Sequence, residues 1–201
     1  MDRIAGIILA GGRSTRMGGG DKGLRLLSGR TMLRHVIDRL RPQVEAMAIN
    51  ANGDPARFAV FDLPVLPDPL PDLGPLGGVL AGLSWAAERE SSHIATVACD
   101  TPFFPPDFVE RLQLAAAGTD RIVQSASGGR THPTFALWPV SVAEDLEGFL
   151  RREGPSSVRA FAGDRHAAML VDFPIDGGLD PFFNINTRDD LEKAERIAAE
   201  A

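Results

Sequence analysis

The residues best suited to chemistry stand at the start of the chain. The apolar run Ile4 to Ala10 breaks at Gly11-Gly12 and leads into a stretch carrying Arg13, Arg16 and Lys22. An apolar strand feeding a glycine-rich cationic loop suits a phosphorylated ligand. Glycines let the backbone approach an anion with no Cβ in the way, successive N–H groups can form an anion-binding concavity, and the cations neutralise phosphate oxygens. The competing reading is an ordinary turn with solvated arginines. Two details favour the phosphate. Met17 sits in mid-loop, which points to a loop folded back on the protein. Lys22 and Lys193 are the only lysines in a chain that otherwise uses arginine, so a compact ammonium stands where a guanidinium is the default.

Two other motifs in this stretch lack their context. Gly18, Gly20 and Gly23 have the G-x-G-x-x-G spacing of a dinucleotide-binding turn, but they start well after the strand and no helical pattern opens at Gly23. Lys22 is followed by Gly23 rather than Ser or Thr, which a Walker loop requires.

The elements that must position such a loop alternate along the chain. Apolar residues at Met32, Leu33, Val36, Ile37 and Leu40 give helical periodicity over Thr31 to Leu40. Short strands are expected at Ala46 to Asn50, Pro64 to Leu66, Ile94 to Cys99, Arg121 to Ser125, Thr134 to Trp138 and His166 to Asp172. Helices are expected at Ala56 to Phe61 (weak), Gly78 to Glu88, Pro106 to Ala117 with Pro106 in the first turn, Val142 to Arg152 and Ser157 to Phe161. Asp68 to Pro75 and Ser127 to Pro133 read as loop and turn. Asn186 or Thr187 caps a last helix to Ala199, with Thr187 and Asp190 spaced as a capping box. This alternation predicts an α/β three-layer sandwich on a mainly parallel, mixed sheet, one domain over residues 1–201.

In such sheets ligands sit beyond the carboxyl ends of the strands. Leu9 to Gly12, Asn50-Ala51-Asn52, Asp68 and Cys99-Asp100 all fall on that edge. Each has a plainer explanation: an Asx-turn at Asn50 or Asn52, turn initiation at Asp68, a capped turn at Asp100. Cys99 reads as a small buried hydrophobe, since no base is placed beside it. Asp100 ends an apolar segment, so its carboxylate rides on a rigid element. Mg²⁺ takes oxygen ligands, often one or two carboxylates plus phosphates and water, and Asp100 suits that role.

Composition narrows the class. Across 201 residues, 44% are hydrophobic and 24% charged, which is ordinary for a globular protein. A net charge of −6 argues against non-specific binding to nucleic acid or an anionic membrane. The single Cys99 excludes an intrachain disulfide and fits a reducing compartment; with no signal-peptide or membrane-length apolar run, a cytoplasmic location is expected. None of the four histidines forms an evident Ser-His-Asp or Cys-His pairing.

The segment Leu9-Ala10-Gly11-Gly12-x-Ser14-x-Arg16-Met17-Gly18, followed by Asp21-Lys22-Gly23-Leu24, resembles the signature loop of Rossmann-like nucleotidyltransferases, and most closely that of the molybdenum cofactor guanylyltransferases. Gly74-Pro75-Leu76-Gly77-Gly78 resembles that family's G-P-L-A-G loop, with Gly77 in place of Ala. Arg130-x-His132-Pro133-Thr134 and Asn184-Ile185-Asn186-Thr187 resemble two further family stretches, with Arg188 where family members commonly have Pro. The likeness runs from Ile7 to Leu191; Ser141 to Asp180 carries no recognised motif. It implies transfer of GMP from GTP to the terminal phosphate of molybdopterin or Mo-molybdopterin. Leu9, Ala10 and Gly11 would meet guanine and ribose, Lys22 the phosphates, with Gly12, Asn50, Asp68 and Asp100 also on GTP and Asp100 holding Mg²⁺. Lys22 and Arg16 would neutralise charge in catalysis. His132, Asn184 and Asn186 would line the acceptor side. For His132 a turn role, and for Asn186 helix capping, remain equally open. Molybdoenzyme apo-proteins and cofactor-insertion chaperones are the implied partners. Molybdopterin cytidylyltransferases and sugar-phosphate nucleotidyltransferases have a similar loop. A GTP-binding chaperone without transferase activity is the alternative of another class.

Overall fold

A computed structural model describes residues 3–11, 20–70, 72–154 and 157–200. Among these residues seven strands form one mixed sheet: β1 (Ile4–Leu9), β4 (Ala46–Asn50), β5 (Val65–Leu66), β6 (His93–Ala98), β7 (Val123–Ser127), β8 (Arg130–Pro139) and β9 (Met169–Asp172). Their spatial order is β5-β4-β1-β6-β8-β7-β9. The half from β5 to β6 is parallel throughout, as is β7 with β9, while β8 runs antiparallel to both its neighbours. A small ribbon, β2 (Leu26–Leu27) with β3 (Arg30–Thr31), stands apart from the sheet. Among the described residues no helix is long and apolar enough to cross a membrane.

Alternation along the central strand builds the layers. Ile4 and Ile8 of β1 point to one face, where α1 (Met32–Leu40) and α3 (Phe108–Ala116) pack. Ala5 and Ile7 point to the other, where α2 (Pro75–Ala87) and α4 (Ala143–Glu153) pack. On the first face Phe104, Phe108, Phe135, Phe173 and Phe182 form a continuous aromatic cluster, with ring centroids 4.9–6.4 Å apart. A third cluster joins Leu27, Met32, Ile185 and Ala194, so α5 (Arg188–Glu200) and the segment before it dock beside the β2–β3 ribbon.

Several boundaries differ from the sequence expectation, each for a local reason. The Gly74-Pro75 stretch expected in a loop instead starts α2, with Gly74 as N-cap at φ 61° and Pro75 supplying a pre-set φ at the first turn. Pro106 lies outside α3, whose N-cap is Asp107. The stretch Ser127 to Pro133, expected as a turn, is mostly strand. Only Gly128 and Gly129, at φ 53° and 76°, make the turn, and β8 begins at Arg130. Pro133 is accommodated where the ladder slips between Gln124 and Ser125, so its missing N–H removes no pairing bond. The helix expected at Ser157 to Phe161 is a π-helix over Arg159–Arg165, and Ala56 to Phe61 lies within a 3-10 helix.

Candidate active site

Parallel register brings the candidate residues to one level. Leu9 pairs with Asn50 on one side and Ala98 on the other, and Asn50 pairs with Leu66. The chain therefore leaves the sheet at Ala10, Ala51, Pro67 and Cys99 along a single edge, as the sequence requires for one ligand. Ala10 is buried and its N–H donates to the Asn50 carbonyl at 2.9 Å, while Gly11 is exposed. Gly12 and Arg16, with Arg13, Ser14, Met17 and Gly18, lie outside the described residues.

Lys22 and Asp100, 78 positions apart in sequence, meet at this edge. The Lys22 ammonium donates to Asp100 Oδ2 at 3.1 Å, and both side chains are largely buried, at 20% and 14% exposure. Lys22 opens a short 3-10 helix, Lys22–Leu24, in which Gly23 is buried against Cys99; a Cβ there would stand 3.3 Å from the Cys99 Cβ. Burial, reinforced by the neighbouring Asp100 charge, pushes the Cys99 thiol up to about 12, so it is an inert packing group.

The same ammonium donates to Asn186 Oδ1. At the last helix the cap is taken by the next residue. Thr187 caps it: the Asp190 N–H donates to Thr187 Oγ1 at 3.1 Å and the Thr187 N–H to Asp190 Oδ2 at 2.9 Å, a reciprocal capping box. The Asn186 side chain is thereby released to face Lys22. Asn184 accepts from the Thr101 hydroxyl, and the Ile185 N–H donates to the Asp100 carbonyl at 2.9 Å. The segment 184–186 is thus laced onto the end of β6, with buried Ile185 as its anchor.

On the other side of β1, Asn50 Nδ2 donates to Asp68 Oδ1 and Asn52 Nδ2 to Asp68 Oδ2, both at 2.8 Å; the Asp68 N–H donates back to Asn52 Oδ1, also at 2.8 Å. Helix α2 presses on this network. A Cβ on Gly78 would lie 2.1 Å from Asn50 Oδ1, and one on Gly77 2.9 Å from the Asp68 carboxyl carbon. With Asp68 held here, the glycine that replaces the family alanine at position 77 is the residue that fits.

His132 presents a constellation that the spacing did not reveal. The Ser127 hydroxyl donates to Asp180 Oδ1 at 2.7 Å and lies 2.7 Å from His132 Nε2, and the His132 ring stacks 4.6 Å from Phe182. Ser127 has one hydroxyl proton, so Nε2 donates to Ser127 Oγ and Nδ1 is left as the acceptor. Burial lowers the His132 pKa against the opposing pull of Asp180. The three residue types of a nucleophilic triad meet, but Ser127 is fully buried and directs its proton to the carboxylate. The group holds the turn at Asp180 rather than serving as a nucleophile.

Among the described residues no group of three or more acidic, His or Cys side chains is placed to cage a metal. A Mg²⁺ held by one carboxylate plus phosphates and water needs no such cage, and Asp100 at the strand end fits that donor set.

Solved structures share this architecture. Molybdopterin-guanine dinucleotide biosynthesis protein A from Archaeoglobus fulgidus superposes with TM-score 0.76 at 24% identity, covering 98% of this chain and all of that one. A nucleotidyl transferase from Methanothermobacter thermautotroptrophicus gives 0.77 at 16% identity, covering 100% of this chain and 99% of its own. Both likenesses show the fold. Sequence goes further: residues 6–168 match the MobA-like NTP transferase domain. The molybdenum cofactor guanylyltransferase of Bradyrhizobium sp. is 48% identical over 200 residues, covering 98% of this chain and 93% of its own length. That of Cereibacter sphaeroides is 49% identical over 195 residues, covering 97% of each. The chain belongs to the molybdenum cofactor guanylyltransferase family of MobA-like NTP transferases.

Proposed function

We propose that the chain transfers GMP from GTP to the terminal phosphate of molybdopterin, or its molybdenum-loaded form. An acceptor phosphate oxygen bonds to the α-phosphorus of GTP, the bond from that phosphorus to the β-bridging oxygen breaks, and pyrophosphate departs. The acceptor is already an anion, so no strong general base is needed, in keeping with a Ser127 and His132 turned toward Asp180. The observation that carries the reading is the meeting of Lys22, Asp100 and Asn186 beside the Asn50–Asp68 network on one sheet edge.

Leu9, Ala10 and Gly11, with Asn50 and Asp68, hold guanine and ribose. Lys22, joined by Arg16, neutralises the phosphates and the departing pyrophosphate. Asp100 holds Mg²⁺, which supplies charge neutralisation at the triphosphate when bound. Asn184, Asn186 and His132 line the acceptor side. Catalysis is then positioning and charge neutralisation, which together can supply most of a phosphoryl-group transfer. The product is handed to molybdoenzyme apo-proteins, directly or through insertion chaperones.

A pyrophosphate-release assay with GTP, Mg²⁺ and molybdopterin, repeated with CTP, tests this. Release with GTP alone is expected. Preference for CTP would favour a cytidylyltransferase, and GTP binding without release a cofactor chaperone.

A further inference from the structure

Among the described residues, one side chain bridges the region between the two halves of the site. Arg57 sits on the 3-10 helix Pro55–Phe61, just after the Asn50-Ala51-Asn52 segment. Its Nη1 donates to the Asp54 carbonyl at 2.7 Å and its Nη2 to the Asn52 carbonyl, while its guanidinium carbon lies 4.7 Å above the Phe58 ring. Gly53, at φ 86°, gives the guanidinium its room: a Cβ there would come within 3.1 Å of Nη1. So placed, Arg57 Nε stands 2.7 Å from Asp21 Oδ2, each side chain 27% exposed. The contact is ionic rather than an aligned hydrogen bond.

Asp21 is the residue before Lys22. A carboxylate there, left uncompensated, would compete with Asp100 for the ammonium. Asp21 does not use its side chain to cap the 3-10 helix that Lys22 opens. Asn52, whose carbonyl Arg57 grips, binds Asp68 through its side chain. A single chain of contacts therefore runs from Asp68 through Asn52, Arg57 and Asp21 to Lys22 and on to Asp100.

We infer that Arg57 is a positioning residue: by neutralising and holding Asp21 it fixes the Lys22 ammonium. This rests on the GTP site proposed above. The guanidinium suits the task because its planar fork takes two carbonyls while a third edge faces the carboxylate, which a lysine cannot do.

The test is a double-mutant cycle, with folding checked by circular dichroism at the assay temperature. Arg57→Gln and Asp21→Asn should each lower kcat about tenfold while KM for GTP stays within about threefold, and the double variant should be no slower than either single. Arg57→Lys serves if Arg57→Gln does not fold, and should lose less. Additive losses, a change confined to KM, or wild-type kcat in the Arg57 variants would overturn the inference. A wild-type protein that releases no pyrophosphate from GTP with molybdopterin overturns the proposed function and this inference with it, a result distinct from an active wild type with unaffected variants.

Discussion

Lys22 donates to Asp100 and Asn186 from one compact head, and the geometry depends on that shape. A guanidinium is longer, planar and forked, so Lys22→Arg keeps the charge but cannot meet both partners from the same point. Its turnover in the pyrophosphate-release assay should fall at least about tenfold, an expectation for a misplaced charge at a reacting phosphate; near-normal turnover would show that charge alone suffices. Asp100→Asn preserves the volume and removes the negative charge, and Mg²⁺-dependent turnover should drop steeply while the fold persists. Full Mg²⁺-dependent activity in this variant would refute the metal assignment. His132 allows a prediction on stability instead. Burial holds its folded pKa below the ordinary 6.5, so between those two values the unfolded chain binds more protons than the folded one. Stability contributed by keeping this ring neutral is complete above pH 6.5 and declines as pH falls through that window. His132→Gln, which can still donate to Ser127, should flatten the fall in thermal midpoint between about pH 7 and pH 5. An unchanged slope would mean that the ring is not the titrating group.

Elements decide how closely these groups approach one another. Helix α2 reaches the Asn50–Asp68 pair because Gly77 and Gly78 present no side chain toward it. Gly78→Ala must displace either the helix or Asn50, and should cost about 1–3 kcal/mol of stability as overpacking does. It should also raise KM for GTP, since the displaced group belongs to the proposed base and ribose side. Denaturant unfolding and steady-state kinetics on one preparation would separate the two effects, and wild-type values in both would show the contact to be slack. The parts of this arrangement that a sequence can announce are local ones. The strand Ala46–Asn50 and the helix Met32–Leu40 are written in short-range periodicity, and the capping box in the spacing of Thr187 and Asp190. The β2–β3 ribbon was not legible, because two-residue strands carry no period and Ser28-Gly29, both at positive φ, were the only mark of its turn. Arg57 was missed for a related reason: the backbone carbonyls that its guanidinium takes leave no mark in residue type, and its partner Asp21 lies 36 positions earlier (57 − 21). Likewise, the contact between Asn186 and Lys22 spans 164 positions and leaves no mark in the local sequence.

At the scale of the whole molecule, the site is assembled from the beginning, middle and end of the chain. Leu9–Gly11, Lys22, Asn50–Asn52, Asp68, Asp100 and Asn184–Asn186 come from separate segments, held to one edge by parallel register and by the Ile185 anchor. A ligand touching them all binds only the folded arrangement, so its binding energy is added to folding. At a concentration one hundred times its Kd, such a ligand stabilises by about 2.7 kcal/mol. For a chain of this size each kcal/mol moves the thermal midpoint about 2–4 °C, so GTP at that level should raise it by about 5–10 °C. CTP at the same concentration should shift it less, if the Asn50–Asp68 side reads the base. Lys22→Met should shrink the GTP shift while leaving the difference between the bases, because the proposed reading puts the phosphates and the base at opposite ends of the site. If Lys22→Met instead abolished the base preference as well, the two ends would not act separately. The network through Arg57 would then be the first place to look for the coupling.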